Sequence, residues 1–101
     1  MTFDPLAALD KVNPELYTKM ADNNKSAFCE GAIPVKYKFL LAMALDACEG
    51  ATDGVTALTQ QALEQGATRE EIAEVLDVLH YVCGGGSIYT ASIGMSKVEN
   101  L

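Results

Sequence analysis

Three thiols and one imidazole are the side chains of this chain best suited to nucleophilic attack or proton transfer: Cys29, Cys48, Cys83 and His80. His80 and Cys83 stand three residues apart, which puts them on one face of a helix. There an imidazole can take a thiol proton and so act as a general base, or the two can offer ligands to a metal. A zinc site needs about four ligands, or three and a water, and no convergent acid or thiol accompanies this pair. No metal and no cofactor is therefore expected. The competing reading places both on an apolar stripe as core residues, with His80 neutral and bonded to one carbonyl. Cys48 stands just before a predicted helix whose positive end lowers a thiol pKa. It also ends an apolar helix, where an ordinary buried thiol is the default. Cys29, beside Glu30, reads as structural.

Other polar features carry less. Gly84-Gly85-Gly86-Ser87 has the composition of a backbone nest for an anion, although glycines more often serve a sharp turn and a close helix crossing. Lys36 and Lys38 are the only close basic pair, suited to a carboxylate ligand or simply to a solvated helix start. Glu64, Glu70, Glu71 and Glu74 read as a solvated face, and Met20, Met43 and Met95 as core filler.

The elements that must position these groups are helices. Asp4-Pro5 and Asn13-Pro14 each set a capping side chain before a proline at the first helical position, predicting helices over about 5–11 and 14–29. Leu16, Tyr17, Met20 and Phe28 are the second helix's candidate core contacts. Pro34 opens a third helix to about 49, apolar almost all round over residues 39–45, interrupted by Asp46. Such a helix is normally buried on every side, so a partner subunit is expected to cover part of it. Gly50 stops it, and a fourth helix follows over about 53–65, ended by Gly66. Thr68-Arg-Glu-Glu71 is a capping box for a fifth helix, whose stripe is Ile72, Val75, Leu76, Leu79, His80 and Cys83. The triple glycine breaks it, and Ser87 is the expected cap of a sixth. No segment alternates like a strand, so the class is all-α, a single domain of about six helices spanning residues 1–101.

Composition narrows the function. Half of the 101 residues are hydrophobic and none is Trp, which favours self-association. The net charge of −7, with seven scattered bases, argues against nucleic acid and against anionic lipid. No run is long and apolar enough to span a bilayer. Three cysteines without repeated spacing give no disulfide framework and no Cys-x-x-Cys pair, which favours a reducing cytoplasm.

Ala32-Ile-Pro-Val-Lys36, then Ala62-Leu-Glu-Gln-Gly-Ala-Thr68, then Glu70-Glu-Ile-Ala-Glu74 and Gly84-Gly-Gly resemble the frame of the carboxymuconolactone decarboxylase family, with its alkylhydroperoxidase-like branch. The resemblance spans about residues 30–92. It implies an all-α subunit assembling as homodimers and, as trimers of dimers, homohexamers. It also implies a peroxiredoxin-type, antioxidant activity in which Glu and His relay the proton of a Cys-x-x-Cys thiolate. Counting back from Gly66 and forward from Lys36 puts those slots at Phe39 (Glu), Ala51 and Gly54 (Cys), and Leu58 (His). The motif is absent. The expectation is a family member divergent in, or devoid of, the family activity. Phe39, Ala51, Gly54 and Leu58 would then turn a polar cleft into an apolar pocket for a small hydrophobic ligand. The alternatives are thiol-dependent peroxide reduction by Cys48 or Cys83 with His80, served by an external thiol reductant; lactone decarboxylation with His80 as proton donor; and a non-catalytic binding or scaffold oligomer.

Overall fold

Glycines and capping side chains decide where each helix begins and ends. The computed structural model describes residues 6–101, and the Asp4-Pro5 cap lies outside them. Six helices follow: α1 (Ala7–Val12), α2 (Pro14–Ala27), α3 (Val35–Cys48), α4 (Thr52–Glu64), α5 (Arg69–Cys83) and α6 (Gly85–Met95). No strand occurs among the described residues. Asn13 caps α2, its side chain accepting from the Leu16 amide. Thr68 and Glu71 close the expected capping box on α5. Gly50, Gly66 and Gly84 follow α3, α4 and α5 with φ near +81°, +96° and +81°, a conformation that glycine takes without a Cβ penalty. The expected Ser87 cap is not formed. Helix α6 already starts at Gly85, so the Ser87 hydroxyl lies inside its first turn and donates to the Gly84 carbonyl instead.

The core belongs to α3–α6 alone. Leu40, Met43, Ala47, Val55, Ala62, Ile72, Leu79, Ala91 and Met95 form one buried cluster. Helix α3 packs on α4, α5 and α6, and α4 packs on α6. The α4–α6 crossing is close because Gly94 faces α4. A Cβ there would stand 2.6 Å from the Val55 side chain and 2.7 Å from the Thr52 carbonyl. Across the same crossing the Thr56 hydroxyl donates to the Gly94 carbonyl at 2.6 Å. One turn further along α4, Thr59 is fully buried, and its hydroxyl has no partner. Such an orphan costs about 1–3 kcal/mol of desolvation.

One expectation fails here. Helix α2 buries none of its residues, and Leu16 and Met20 are 41% and 42% exposed. It packs on α1 and on no other described helix, and residues beyond its end reach the body. Phe28 stacks on Phe39 with ring centroids 4.6 Å apart, and Lys38 donates to the Cys29 carbonyl at 2.7 Å. Within one chain α3 is not wrapped on every side, as so short a chain led one to expect: Leu41 and Leu45 are 55% and 59% exposed.

The crossing and the orphan hydroxyl predict melts of opposite sign. Gly94→Ala forces a backbone shift at the α4–α6 contact and should lower stability by about 1–3 kcal/mol. Thr59→Val keeps the shape and removes the unpaired group, so it should raise stability by about 1 kcal/mol. Urea denaturation followed by circular dichroism reads both.

Candidate functional site

Helices α3 and α5 run side by side in the same direction, because residues near both pairs of ends meet. At their starts, Glu71 accepts from three donors. The Thr68 amide reaches Oε1 at 2.9 Å, while the Tyr37 hydroxyl and the Lys36 ammonium each reach Oε2 at 3.1 Å. At their ends, Cys48 and Cys83 form a disulfide, with Cα atoms 5.8 Å apart. Between the two fastenings runs an apolar groove of about 450 Å³, with Leu41 and Leu45 from α3, Val78 and Val82 from α5, and both cysteines among its lining. Tyr37 and Glu74 are its polar margin.

The disulfide corrects the expectation that the thiols stay unpaired. Spacing alone hid it, since the two cysteines are 35 residues apart on different helices. Closing a loop of that length stabilises the fold by about 3–4 kcal/mol in the chain-entropy account. Cys48 is exposed and Cys83 half-buried, so neither is the ordinary core thiol that the apolar pattern suggests. Each is the last residue of its helix, at the negative end of the helix dipole. Cys48 thus ends α3 and does not stand at the helix start that sequence position suggested. His80 lies one turn before Cys83 and is exposed, because the buried stripe of α5 ends at Leu79. Its backbone carbonyl accepts from the Gly84 amide. Cys29 is an exposed free thiol donating to the Ser26 carbonyl.

The four positions predicted for an apolar pocket fall on α3 and on α4 with its N-cap. Phe39 stacks on Phe28, Ala51 is the residue before α4, and Leu58 packs against the core. None of the four lines the α3–α5 groove. At Gly54 the space a side chain would need is filled from across α3. The Asp46 carboxylate stands where a Cβ would be, its Cγ 2.8 Å from that point. Asp46 therefore fills the space that a side chain at position 54 would need. Burial pushes its pKa above the usual carboxylate range, and neighbouring Glu49 adds to the shift.

The two lysines considered for a ligand carboxylate are already engaged. Lys36 pairs with Glu71 and lies 5.0 Å from the centroid of the Tyr37 ring, while Lys38 holds the Cys29 carbonyl. Hydrogen bonding to Glu71 holds the Lys36 pKa above its ordinary value. The Thr68 amide, then Lys36, holds Glu71 below its own. Sequence reasoning found Glu71 as a cap and missed its tie to α3. The signal was present in Lys36 and Tyr37 at the start of α3, but their partner lay in another helix.

A depressed carboxylate pKa sets the sign of the pH dependence. Glu71's contribution is present above its ordinary pKa of 4.5 and is lost as pH falls through the lower folded value. Lys36 acts in mirror image, contributing below 10.5 and losing that contribution as pH rises through its raised value. Asp46, shifted up, works against Glu71 in the acid range. Comparing Glu71→Gln with the unmodified chain isolates the tie: the variant should show a shallower loss of stability below pH 4.5. Equal slopes in urea melts would reject it.

The comparisons with known proteins agree with this architecture. The family model for the carboxymuconolactone decarboxylase family matches residues 14–93. An uncharacterised protein of Cupriavidus necator is 36% identical over 94 residues, covering 93% of this chain and 83% of that one. The crystal structure of a carboxymuconolactone decarboxylase family protein from Legionella pneumophila, in its apo form, superposes with a TM-score of 0.83 at 33% identity. That match covers 90% of this chain and 81% of the other. The match to the family model over most of the chain, and to a helical structure of the same family, places this chain in the carboxymuconolactone decarboxylase family.

Proposed function

We propose that this chain is a divergent, peroxiredoxin-type member of its family. Its redox couple is the helix-bridging Cys48–Cys83 pair, and its substrate is an alkyl hydroperoxide held in the adjoining groove. The observation that carries the reading is that both sulfurs belong to the wall of an apolar groove while Cys48 is exposed. The reduced Cys48 thiolate attacks the hydroperoxide. An S–O bond forms, the O–O bond breaks, and the departing alkoxide takes a proton to leave as the alcohol. Cys83 then attacks the Cys48 sulfenic acid, forming the disulfide and releasing water. The two electrons come from the dithiol. An external thiol reductant restores it through a mixed disulfide at exposed Cys48. His80, one turn from Cys83, is the base that takes the thiol proton.

Placement sets the rate. Both thiols stand at helix C-termini, and Glu49 follows Cys48, so the thiolate forms are disfavoured. Attack should therefore be slow at neutral pH and quicken toward alkaline pH, since each unit of raised thiol pKa removes about tenfold of the thiolate. A transient disulfide reduced in every cycle is compatible with the cytoplasm. No helix among the described residues is long and apolar enough to cross a membrane. The exposed apolar faces of α3 and α5 support a working homo-oligomer.

The test mixes pre-reduced protein with cumene hydroperoxide and measures alcohol and thiols. One alcohol per two thiols lost is expected, rising steeply above pH 8. Cys48→Ser should abolish the reaction. Cys83→Ser should stop after one oxidation at Cys48, and His80→Ala should slow the neutral-pH rate several-fold. Thiols that survive millimolar hydroperoxide at pH 9 would overturn the reading and leave the disulfide a structural bond.

A further inference from the structure

Among the described residues lining the α3–α5 groove, Glu74 alone carries a charge. We infer that the groove selects its ligand by the charge at the far end of a long unbranched chain. Hydroperoxides of neutral lipids, esters or alcohols, enter it, and those of free fatty acids are turned away. This deepens the redox reading and rests on it for the chemistry, though not for the binding.

The span of the groove sets the length of the chain. Tyr37 and Glu74 stand at one end, Cys48 and Cys83 at the other. Tyr37 and Cys48 are about 16 Å apart along α3, at about 1.5 Å per residue. An extended hydrocarbon advances about 1.25 Å per tetrahedral carbon, so a chain of about 13 carbons fills that span. The volume of about 450 Å³ is ordinary for a small-molecule site. Leu40 and Leu79 are the buried floor, and Leu41, Leu45, Val78 and Val82 are aliphatic walls. A chain lying there with its hydroperoxide against the sulfurs puts its other end beside Tyr37 and Glu74.

Charge at that end decides what the chain can carry. Lys36 and Arg69, the bases at the helix starts, are committed to Glu71 and to the Leu101 carbonyl. The Tyr37 hydroxyl also donates to Glu71. An arriving carboxylate therefore meets Glu74 and Glu71 with both bases already engaged, and is repelled. An ester loses nothing there, and an alcohol can donate to Glu74. Reversing the chain offers an acid no better place, because Glu49 follows Cys48.

Displacement of the uncharged fluorophore N-phenylnaphthylamine from the oxidised full chain, at pH 8 in low-salt buffer, reads binding without redox chemistry. From hexanol to decanol, affinity should rise about fourfold per methylene. Decanol should displace the probe at concentrations at least tenfold below those of decanoate. Decanoate is also the better hydrated of the two, so the deciding readout is how this ratio responds to Glu74. Glu74→Lys should shrink it at least fivefold by improving decanoate binding, and Glu74→Gln should shrink it less. Glu74 is exposed, so both variants keep the fold. Val78→Glu should weaken both ligands, since they share the groove. A ratio unmoved by Glu74→Lys overturns the inference, as does decanol binding that survives Val78→Glu. Failure of decanol to displace the probe also overturns it, and is the result expected if another protein surface closes the groove. With pre-reduced protein, the methyl ester of ω-hydroperoxydodecanoic acid should react at least fivefold faster than the free acid. If neither reacts while the binding results hold, only the redox reading fails. If both react equally, the selection fails and the redox reading stands.

Discussion

The parallel pairing of α3 with α5 is the constraint on which the rest of the molecule depends. It is enforced by unlike chemistries at its two ends. At the start a carboxylate gathers an amide, a phenol and an ammonium. At the end a covalent bond joins Cys48 to Cys83. With the ends fixed, the middle has no freedom to close. Leu40 and Leu79 turn into the core, while Leu41, Leu45, Val78 and Val82 are left exposed along a groove. The groove is thus a consequence of how the helices are tied. It accounts for why so small a subunit exposes so much aliphatic surface.

Much of this was legible in the sequence wherever the information was local. Asn13, Gly66, Thr68 with Glu71, and Gly84 each mark a helix boundary through contacts within a few residues, and each does so in the structure. The family frame was legible for the same reason, since its anchors are helix starts and stops. What failed needed knowledge of which helix faces which. His80 fits the α5 stripe by spacing, but the buried face ends one residue earlier, at Leu79. Phe39, Ala51, Gly54 and Leu58 lie outside the α3–α5 groove, whose position no local pattern marks. The disulfide joins two helix ends that no short-range pattern relates.

Gly54 of α4 and Asp46 of α3 pack as a pair. A cysteine there would collide with the Asp46 carboxylate, and Asp46 itself is desolvated enough to be pushed toward its neutral form. The glycine and the acid are complementary. Restoring a side chain at position 54 would displace the carboxylate from the space it fills.

Moving a dithiol from one end of a helix to the other changes its chemistry even when the same two sulfurs meet. At a helix start, unpaired amides stabilise a thiolate, and the reduced form gains. At a helix end, unpaired carbonyls disfavour it, and the bonded form gains by comparison. Cys48 and Cys83 both take the second position, in a chain of net charge −7 with His80 as its only imidazole. The pair is accordingly biased toward the disulfide, and the proposed cycle would need a strong reductant to arm it. That bias also favours the structural duty of the bond, because the oxidised form is the one that holds the groove at its fixed width. In the proposed redox cycle, catalysis and architecture would draw on one linkage, and its helix-end placement favours the architecture.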